Sequence, residues 1–182
     1  MPGLSKGTPG LDNKTLQRSV TYSFAHPGDK GHIRRLLSEC ELPTLYIHRH
    51  LKSFMVAKAG KRIVGVVGVE VYGRVGLFRS LCVDEAYRSR GIAKMLNEKL
   101  LAYTHKRKIE RLYLFTLFAE KFAFKLGFRK IDKKRIPKSI RSTWQFRRSR
   151  FYPSAICMMK KIDRAVEGDL FFHEAHKSTD SV

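Results

Sequence analysis

The sequence predicts an α+β (mixed α/β) fold in which a central mixed, mostly antiparallel sheet of six to seven strands is flanked by about four helices. Three observations support this fold class. The chain has 182 residues, 43% of them hydrophobic, which suits a single core of ordinary size. Three strand-like segments follow one another across short glycine-containing turns. Segments with helical periodicity separate the other strands.

The predicted order is strand, two helices, three antiparallel strands, helix, strand, helix and a final strand pair. Strands are predicted at 20–24, 54–57, 62–72, 75–83, 111–116, 128–131 and 154–162. Helices are predicted at 29–40, 44–51, 91–106, 119–126 and 137–146. Asp29 and Thr44 are the expected caps of the first two helices, and Gly127 is the expected left-handed end of the fourth. We expect one domain over 19–163, with flexible extensions at 1–18 and 164–182.

The charge of the chain is strongly positive and unevenly distributed. The net charge is +21, and between Arg129 and Lys161 there are 12 basic residues and one acid, Asp132. This charge predicts attraction to polyanions such as nucleic acid, a membrane surface or a phosphate-bearing cofactor. Charge alone does not identify a nucleic-acid-binding protein, and a solvated basic face is the plainer interpretation.

Other features of the composition argue against several classes of protein. No apolar run approaches the roughly 20 residues that a membrane span needs, and the polar start of the chain lacks the apolar core of a signal peptide. We therefore expect a soluble cytoplasmic protein. The three cysteines are far apart in sequence and are expected to be reduced thiols. The spacing of the seven histidines is not a metal-ligand pattern, so no metal is expected.

The most informative segment is Leu81–Lys94, where an apolar strand runs into a short basic turn that begins a helix. The N-terminus of a helix offers unpaired backbone N–H groups and the positive end of the helix dipole, which suit a phosphate. Gly91 and Ala93 let a pyrophosphate approach the backbone closely, and Arg88 and Arg90 add positive charge. The segment therefore predicts a site for a phosphate-bearing ligand.

The pattern Arg-x-x-Gly-x-Ala at 88–93 resembles the acetyl-CoA pyrophosphate loop of the GNAT N-acetyltransferases, and Leu126-Gly127-Phe128 is similar to a helix-to-strand turn of that family. The resemblance covers about 20–162 and implies the GNAT fold and acetyl-CoA as the acetyl donor. It implies that pantetheine pairs with the strand before the turn, where the Val83 N–H would donate to the oxyanion. The residues it assigns to the cofactor are Leu81, Cys82, Val83, Arg88, Ser89, Arg90, Gly91, Ile92, Ala93 and Lys94. Cys82 is interpreted as a buried structural cysteine rather than a nucleophile.

Four further segments resemble the arsenic-resistance (ArsN-type) N-acetyltransferases, a group related to the domain that makes N-acetylglutamate. They are Val69–Gly73, Phe78–Val83, Leu112–Leu114 and Pro153–Met158. This resemblance implies acetylation of the α-amine of an amino acid, or of an analogue such as phosphinothricin or arsinothricin. The chain departs from the pattern in two places. Ala123 stands where many family members carry a tyrosine that protonates the leaving thiolate, and 129–150 is more basic than expected of the group.

Two charged residues lie in otherwise apolar strands, where an unpaired charge is costly. Arg79 is predicted either to bind a substrate carboxylate as a bidentate fork or to form an internal ion pair with Glu70. Glu70 is predicted either to accept the amine proton, directly or through water, or only to balance Arg79. Strand alternation places Arg79, Leu81 and Val83 on one face and Cys82 on the other.

Two residues complete the predicted site. Tyr72 shares a face with Glu70 and is a candidate for lining the substrate slot or donating a proton, although a core tyrosine is the plainer interpretation. Ser154, in the last predicted strand, is the best remaining proton donor for the CoA thiolate, because Ala123 has no proton to give.

The sequence therefore predicts an acetyl-CoA-dependent N-acetyltransferase that acts on a small-molecule amine, as a monomer or homodimer and without metal or membrane. The acetyl group is expected to pass directly to the amine. Two alternatives remain open. One is a protein or peptide N-acetyltransferase, with a ribosomal or other acceptor. The other is a catalytically weak GNAT scaffold that binds nucleic acid or another polyanion through its basic 129–161 region.

Overall fold

The computed structural model of the protein describes residues 20–162 as seven strands and six α-helices joined by turns. The strands are β1 Val20–Phe24, β2 Phe54–Ala59, β3 Arg62–Tyr72, β4 Val75–Val83, β5 Arg111–Thr116, β6 Arg129–Lys130 and β7 Ile156–Lys161. The α-helices are α1 Lys30–Glu39, α2 Ile47–His50, α3 Ile92–Lys106, α4 Glu120–Lys125, α5 Lys138–Arg141 and α6 Trp144–Ser149. The predicted extensions, 1–18 and 164–182, lie outside the described residues.

The strands form one sheet in the order β1-β2-β3-β4-β5-β7-β6. The β4–β5 pair is parallel, whereas β1–β2, β2–β3, β5–β7 and β6–β7 are antiparallel. This confirms the predicted mixed, mostly antiparallel sheet. By their contacts the described residues fall into two compact units. Unit 1 comprises 20–70 and 78–100, and unit 2 comprises 71–77 and 101–162.

Unit 1 has an apolar core that α1 builds with strands β2 and β3. The helix buries Ile33, Leu36 and Leu37, whose spacing of three and four residues places them on one face. They belong to the same cluster as Phe54 and Val56 of β2. Full burial of an aliphatic side chain contributes about 1.5–3 kcal/mol, so α1 is stabilised mainly by packing.

A glycine in β3 fixes how closely the first turns of α3 approach the sheet in unit 1. A Cβ atom added to Gly65 would lie 3.0 Å from side-chain carbons of both Ile92 and Leu96. Ile92 and Leu96 are themselves fully or almost fully buried. The start of α3 is therefore set directly against β3.

Unit 2 has its own core around strands β5 and β7, which pair along six residues of each strand. Tyr113 and Cys157 are buried there together with Ile136 and Ile140, which precede and lie within α5. The ring of Phe146 meets that of Phe115 edge-on with 5.7 Å between ring centres. This aromatic contact anchors α6 against β5.

Three predicted details of the helices are wrong. The Asp29 side chain does not cap α1, because it accepts the His26 N–H at 2.9 Å and pairs with Lys58 at 2.8 Å. Thr44 does not cap α2, which is preceded by Tyr46 in a left-handed conformation. The predicted helix 137–146 is interrupted at Thr143, whose hydroxyl accepts the Phe146 N–H and starts α6 as a separate helix.

Candidate active site

The turn between β4 and α3 exposes its backbone. Asp84 starts the turn by accepting the Ala86 N–H at 3.0 Å. Further along, Ser89 (φ +60°) and Gly91 (φ +75°) are left-handed residues on either side of Arg90, and both are exposed. Such an arrangement can direct successive N–H groups into an anion-binding concavity. The sequence-predicted phosphate site is therefore an open turn that leads into α3.

The basic side chains of this turn are held by local contacts. Arg88 donates from Nε to the Val83 carbonyl at 3.2 Å and is exposed. The Arg90 guanidinium lies 5.1 Å from the centre of the Tyr87 ring. Lys94, in the first turn of α3, is also exposed. The three cations surround the start of α3, where the helix dipole already favours an anion.

The end of β4 carries the residues predicted to pair with pantetheine. Leu81 is half-buried, and Cys82 and Val83 are buried. Burial raises the pKa of the Cys82 thiol far above its ordinary value, and its Sγ lies 4.0 Å from the Leu36 carbonyl in the unit 1 core. A thiol held neutral in the core fits the structural interpretation of Cys82 and not that of a nucleophile.

Ser80 breaks the alternation that was predicted for β4. It has φ +61°, so the strand contains a left-handed residue between Arg79 and Leu81. Arg79 lies over the Phe54 ring, and Cys82 belongs to the same core cluster as Phe54. The regular alternation predicted for β4 is therefore interrupted between Arg79 and Leu81.

Arg79 and Glu70 form a buried ion pair in unit 1. Arg79 Nη1 donates to Glu70 Oε1 at 2.5 Å, and the residues are 8% and 3% exposed. Arg79 Nη2 also donates to the carbonyls of Pro43 and Leu45, each at 3.1 Å, and Nε donates to the Ser80 hydroxyl. The internal ion pair, one of the two predicted alternatives for Arg79, is thus present, and every guanidinium nitrogen has a protein acceptor.

His50 joins this cluster and was not predicted from the sequence. Its Nε2 lies 3.8 Å from Glu70 Oε2, whereas Arg79 contacts the other oxygen, Oε1. Burial has the largest effect and lowers the pKa of His50; Glu70 raises it, and Arg79, Arg49 and His48 lower it further. A neutral imidazole therefore lies beside the buried carboxylate. Only the position of α2 against β3 could reveal this pair, and the sequence spacing carries no signal of it.

The remaining two predicted site residues belong to unit 2. Tyr72 is half-buried and packs against the cluster formed by Leu77 and Tyr113. Ser154 is exposed and lies in the turn before β7, which begins at Ile156 and not at the predicted residue 154. The structure thus brings together Glu70, Arg79 and the 81–94 segment within unit 1, and it places Tyr72 and Ser154 in unit 2.

Comparison with known families identifies the fold. The model of the Acetyltransferase (GNAT) family matches residues 21–130, which is more than half of the chain. The chain belongs to the GNAT acetyltransferase family. The match includes β1 to β6 and the whole β4–turn–α3 segment, and it ends before α5 and α6.

Individual relatives of this GNAT chain agree with that assignment. An uncharacterized N-acetyltransferase of Chlorobaculum tepidum, CT2212, is 28% identical over 52% of this chain. The matched region covers 61% of the length of that relative. N-acetylglutamate synthase from Neisseria gonorrhoeae, complexed with coenzyme A and N-acetyl-glutamate, has a TM-score of 0.68 at 18% identity, over 80% of this chain and 35% of that one. Rv2747 from Mycobacterium tuberculosis, in complex with CoA, has a TM-score of 0.64 at 20% identity, over 79% of this chain and 99% of that one.

The second GNAT-like motif has the expected local structure. Gly127 adopts φ +89° after α4, and the Phe128 N–H donates to the Ala123 carbonyl at 3.1 Å. Ala123, the position at which the sequence analysis noted a departure from the family pattern, is buried. Within 20–162, no group of three or more His, Cys, Asp or Glu residues is placed to hold a metal ion. In the same part of the chain, no helix is both long and apolar enough to cross a membrane.

Proposed function

We propose that this protein transfers an acetyl group from acetyl-CoA directly to the α-amine of an amino acid or amino-acid analogue. One observation carries the proposal: the exposed, left-handed turn before α3 lies in the same unit as the buried acid Glu70, and the GNAT family match covers both. Acetyl-CoA supplies the activated thioester. The turn fits its pyrophosphate, because Gly91 keeps the backbone accessible and Arg88, Arg90 and Lys94 supply cations.

The reaction needs few groups from the protein. A neutral amine nitrogen forms a bond to the thioester carbon while the carbon–sulfur bond breaks. The ammonium form of the amine must first lose a proton, which we assign to Glu70, directly or through water. The Val83 N–H is the assigned donor to the developing oxyanion. Because Ala123 cannot donate a proton, water is assigned as the proton donor to the departing thiolate; Ser154, the donor predicted from the sequence, lies in unit 2.

The two carboxylate oxygens of Glu70 have different surroundings, which supports different roles for them. Arg79 holds Oε1, and the neutral His50 lies on the side of Oε2. We therefore propose that Oε2 accepts the proton and that Arg79 positions the carboxylate. The fork role of Arg79 toward a substrate carboxylate has less support, since its three nitrogens already donate to protein oxygens.

The choice of an amino acid over a peptide as acceptor rests on the four ArsN-like segments. Glu70 lies in one of these segments, Val69–Gly73, and Arg79 lies in another, Phe78–Val83. The structural relative complexed with N-acetyl-glutamate shares the fold at 18% identity, which does not specify the acceptor of this chain. A peptide or protein N-terminus is therefore the competing acceptor in the test.

The test measures thiol release from acetyl-CoA with a panel of free amino acids, including glutamate analogues, and a panel of peptides with free N-termini. We expect turnover with at least one free amino acid and little with the peptides. Turnover with peptides alone would assign the competing acceptor. No turnover, together with no heat of coenzyme A binding in calorimetry, would contradict the proposal as a whole.

The role of Glu70 is tested with Glu70→Gln, which keeps the size of the side chain but cannot accept the proton as a carboxylate does. We expect kcat to fall by about 10²–10⁴-fold, the usual contribution of a general base, with coenzyme A affinity unchanged. Glu39→Gln, at an exposed position of α1, is the matched control and should retain full activity. Unchanged kcat in Glu70→Gln would remove Glu70 from the mechanism.

A further inference from the structure

The segment between β6 and β7 carries a charge that acetyl transfer does not explain. From Lys133 to Arg150 there are eight Lys or Arg residues and no Asp or Glu, and all of the eight except Lys133 are exposed. Among residues 20–162, no carboxylate lies within 4.0 Å of any of these eight cations. The segment also lies outside the residues that the GNAT family model matches. The segment therefore keeps its positive charge, although Arg141 also donates to the carbonyls of Ile136 and Lys134.

Helix α6 presents this charge on a fixed support. Phe146 packs edge-on against Phe115 of β5, and Ser149 is buried. Arg147 and Arg148 are exposed on the same helix. Because Phe146 and Ser149 fix the orientation of α6 within unit 2, the backbone that carries the two arginines has a defined position.

Aromatic rings are stacked on one of these cations. Trp144, Arg148 and Tyr152 are spaced by four residues, and the Arg148 guanidinium lies 5.2 Å from the centre of the Trp144 ring and 5.6 Å from that of Tyr152. Next to them, the Phe151 ring is 83% exposed, and Tyr152 is 39% exposed. Three neighbouring aromatic residues with a cation among them form a patch, and an exposed apolar patch is a feature of interaction sites.

We propose that the α6 surface, defined as Trp144, Arg147, Arg148, Phe151 and Tyr152, binds single-stranded nucleic acid. Arginines neutralise backbone phosphates, and exposed rings offer flat faces on which unpaired bases stack. A duplex keeps the faces of its bases stacked inside the helix. An anionic membrane is a poorer match, because binding of a helix to a membrane surface grows with the apolar area that it buries, and α6 has only six residues.

The first test measures binding of a fluorescein-labelled 20-nucleotide oligouridylate by fluorescence anisotropy at about 50 and 200 mM NaCl. With one phosphate neutralised by each of Arg147 and Arg148, affinity should fall by about 7-fold between these salt concentrations. Vesicles containing about 30% phosphatidylserine are the competing polyanion. Binding to vesicles in preference to the oligonucleotide, or no binding of the oligonucleotide at the lower salt concentration, would overturn the proposal.

The second test locates the surface with exposed residues whose replacement leaves the core intact. Phe151→Ala should weaken oligouridylate binding by about 5-fold or more, since stacking on one ring is lost. Arg147→Gln with Arg148→Gln should also weaken binding and make its salt dependence shallower. Lys30→Gln with Arg34→Gln removes the same charge from exposed positions of α1 and should have a much smaller effect. Equal losses in the two double variants, or no loss in Phe151→Ala, would show that the attraction is nonspecific and refute a site on α6.

Discussion

At the scale of single residues, Arg79 connects several parts of unit 1. Its guanidinium joins Glu70 of β3 to the backbone carbonyls of Pro43 and Leu45, which precede α2. The same guanidinium carbon lies 6.0 Å from the centre of the Phe54 ring. Of the two roles predicted for Arg79, a substrate fork or an ion pair with Glu70, the structure contains the ion pair, which supports the proposed base.

The buried ion pair leads to a stability prediction. Removing one partner of such a pair typically costs about 3–5 kcal/mol, because the remaining charge stays buried, whereas removing both costs much less than the sum. We expect Arg79→Met to lower the free energy of unfolding by about that amount. We expect the double variant Arg79→Met/Glu70→Met to be far less destabilised than the two single changes added together. Urea denaturation of the four proteins measures the coupling, and additive losses would mean that the pair contributes no interaction of its own.

His50 leads to a prediction about pH. Because burial lowers the folded-state pKa of His50, the folded protein binds its proton less readily than the unfolded chain does. The neutral imidazole therefore contributes stability above about pH 6.5, the ordinary pKa of histidine, and this contribution is lost as the pH falls below it. The groups acting on His50 are Glu70, which raises its pKa, and Arg79, Arg49 and His48, which lower it.

The measurement compares unfolding free energies of the wild type and His50→Gln at pH 7.5 and pH 5. The glutamine cannot titrate, so the variant should lose less stability on acidification than the wild type. The control variant His32→Gln, at an exposed position of α1, should lose about as much unfolding free energy between pH 7.5 and pH 5 as the wild type does. An equal loss in His50→Gln and the wild type would mean that His50 is not held neutral by the fold.

At the scale of elements, Gly68 of β3 determines where Phe54 of β2 can lie. A Cβ atom at residue 68 would be 2.5–2.6 Å from three atoms of the fully buried Phe54 ring, too close for any real contact. Gly68→Ala should therefore destabilise the protein by about 1–3 kcal/mol through overpacking. Gly28→Ala is the matched control, since a Cβ there meets nothing within 4 Å.

A second variant distinguishes overpacking from a general effect of alanine in β3. Replacing Phe54 with the smaller leucine makes room at residue 68. Gly68→Ala should therefore cost less in a Phe54→Leu background than in the wild type, as thermal unfolding can measure. If the cost is the same in both backgrounds, the Phe54 ring is not what requires glycine at this position.

Most elements could be predicted from the sequence, and the failures have local physical causes. The bounds of β3, β4 and β5 agree with the prediction because long apolar runs and glycine turns mark their ends. The left-handed Ser80 was missed, since nothing in the pattern around a serine signals a positive φ. Thr143 was missed as a helix cap because the helical pattern continues on both sides of it.

The candidate site was predictable only where one continuous segment forms it. The turn at 84–91 and the start of α3 follow from a local motif, and the structure shows the open turn that the motif predicts. Glu70 and Arg79 were singled out because charges in apolar strands are costly. His50 was not, because its meeting with Glu70 depends on the packing of a four-residue helix, which no local pattern encodes.

At the scale of the whole molecule, the positive charge is concentrated in one of the two units. The described residues of unit 2 include 19 Lys or Arg and three Asp or Glu, whereas those of unit 1 include 13 and seven. Like charges in a compact unit repel one another and lower its stability, and salt screens that repulsion. The folded protein is therefore expected to be less stable at low ionic strength.

This expectation can be checked by thermal unfolding in NaCl from about 20 to 300 mM. Tm should rise with salt, by about 2–4 °C for each kcal/mol of repulsion that is screened. The triple variant Lys134→Gln/Arg135→Gln/Lys138→Gln should have a higher Tm than the wild type at low salt and a smaller rise. The matched variant Lys30→Gln/Arg34→Gln/Lys52→Gln removes three exposed charges from the less basic unit 1 and should gain less. A Tm that stays constant or falls as NaCl is added would show that the charge of unit 2 does not oppose folding.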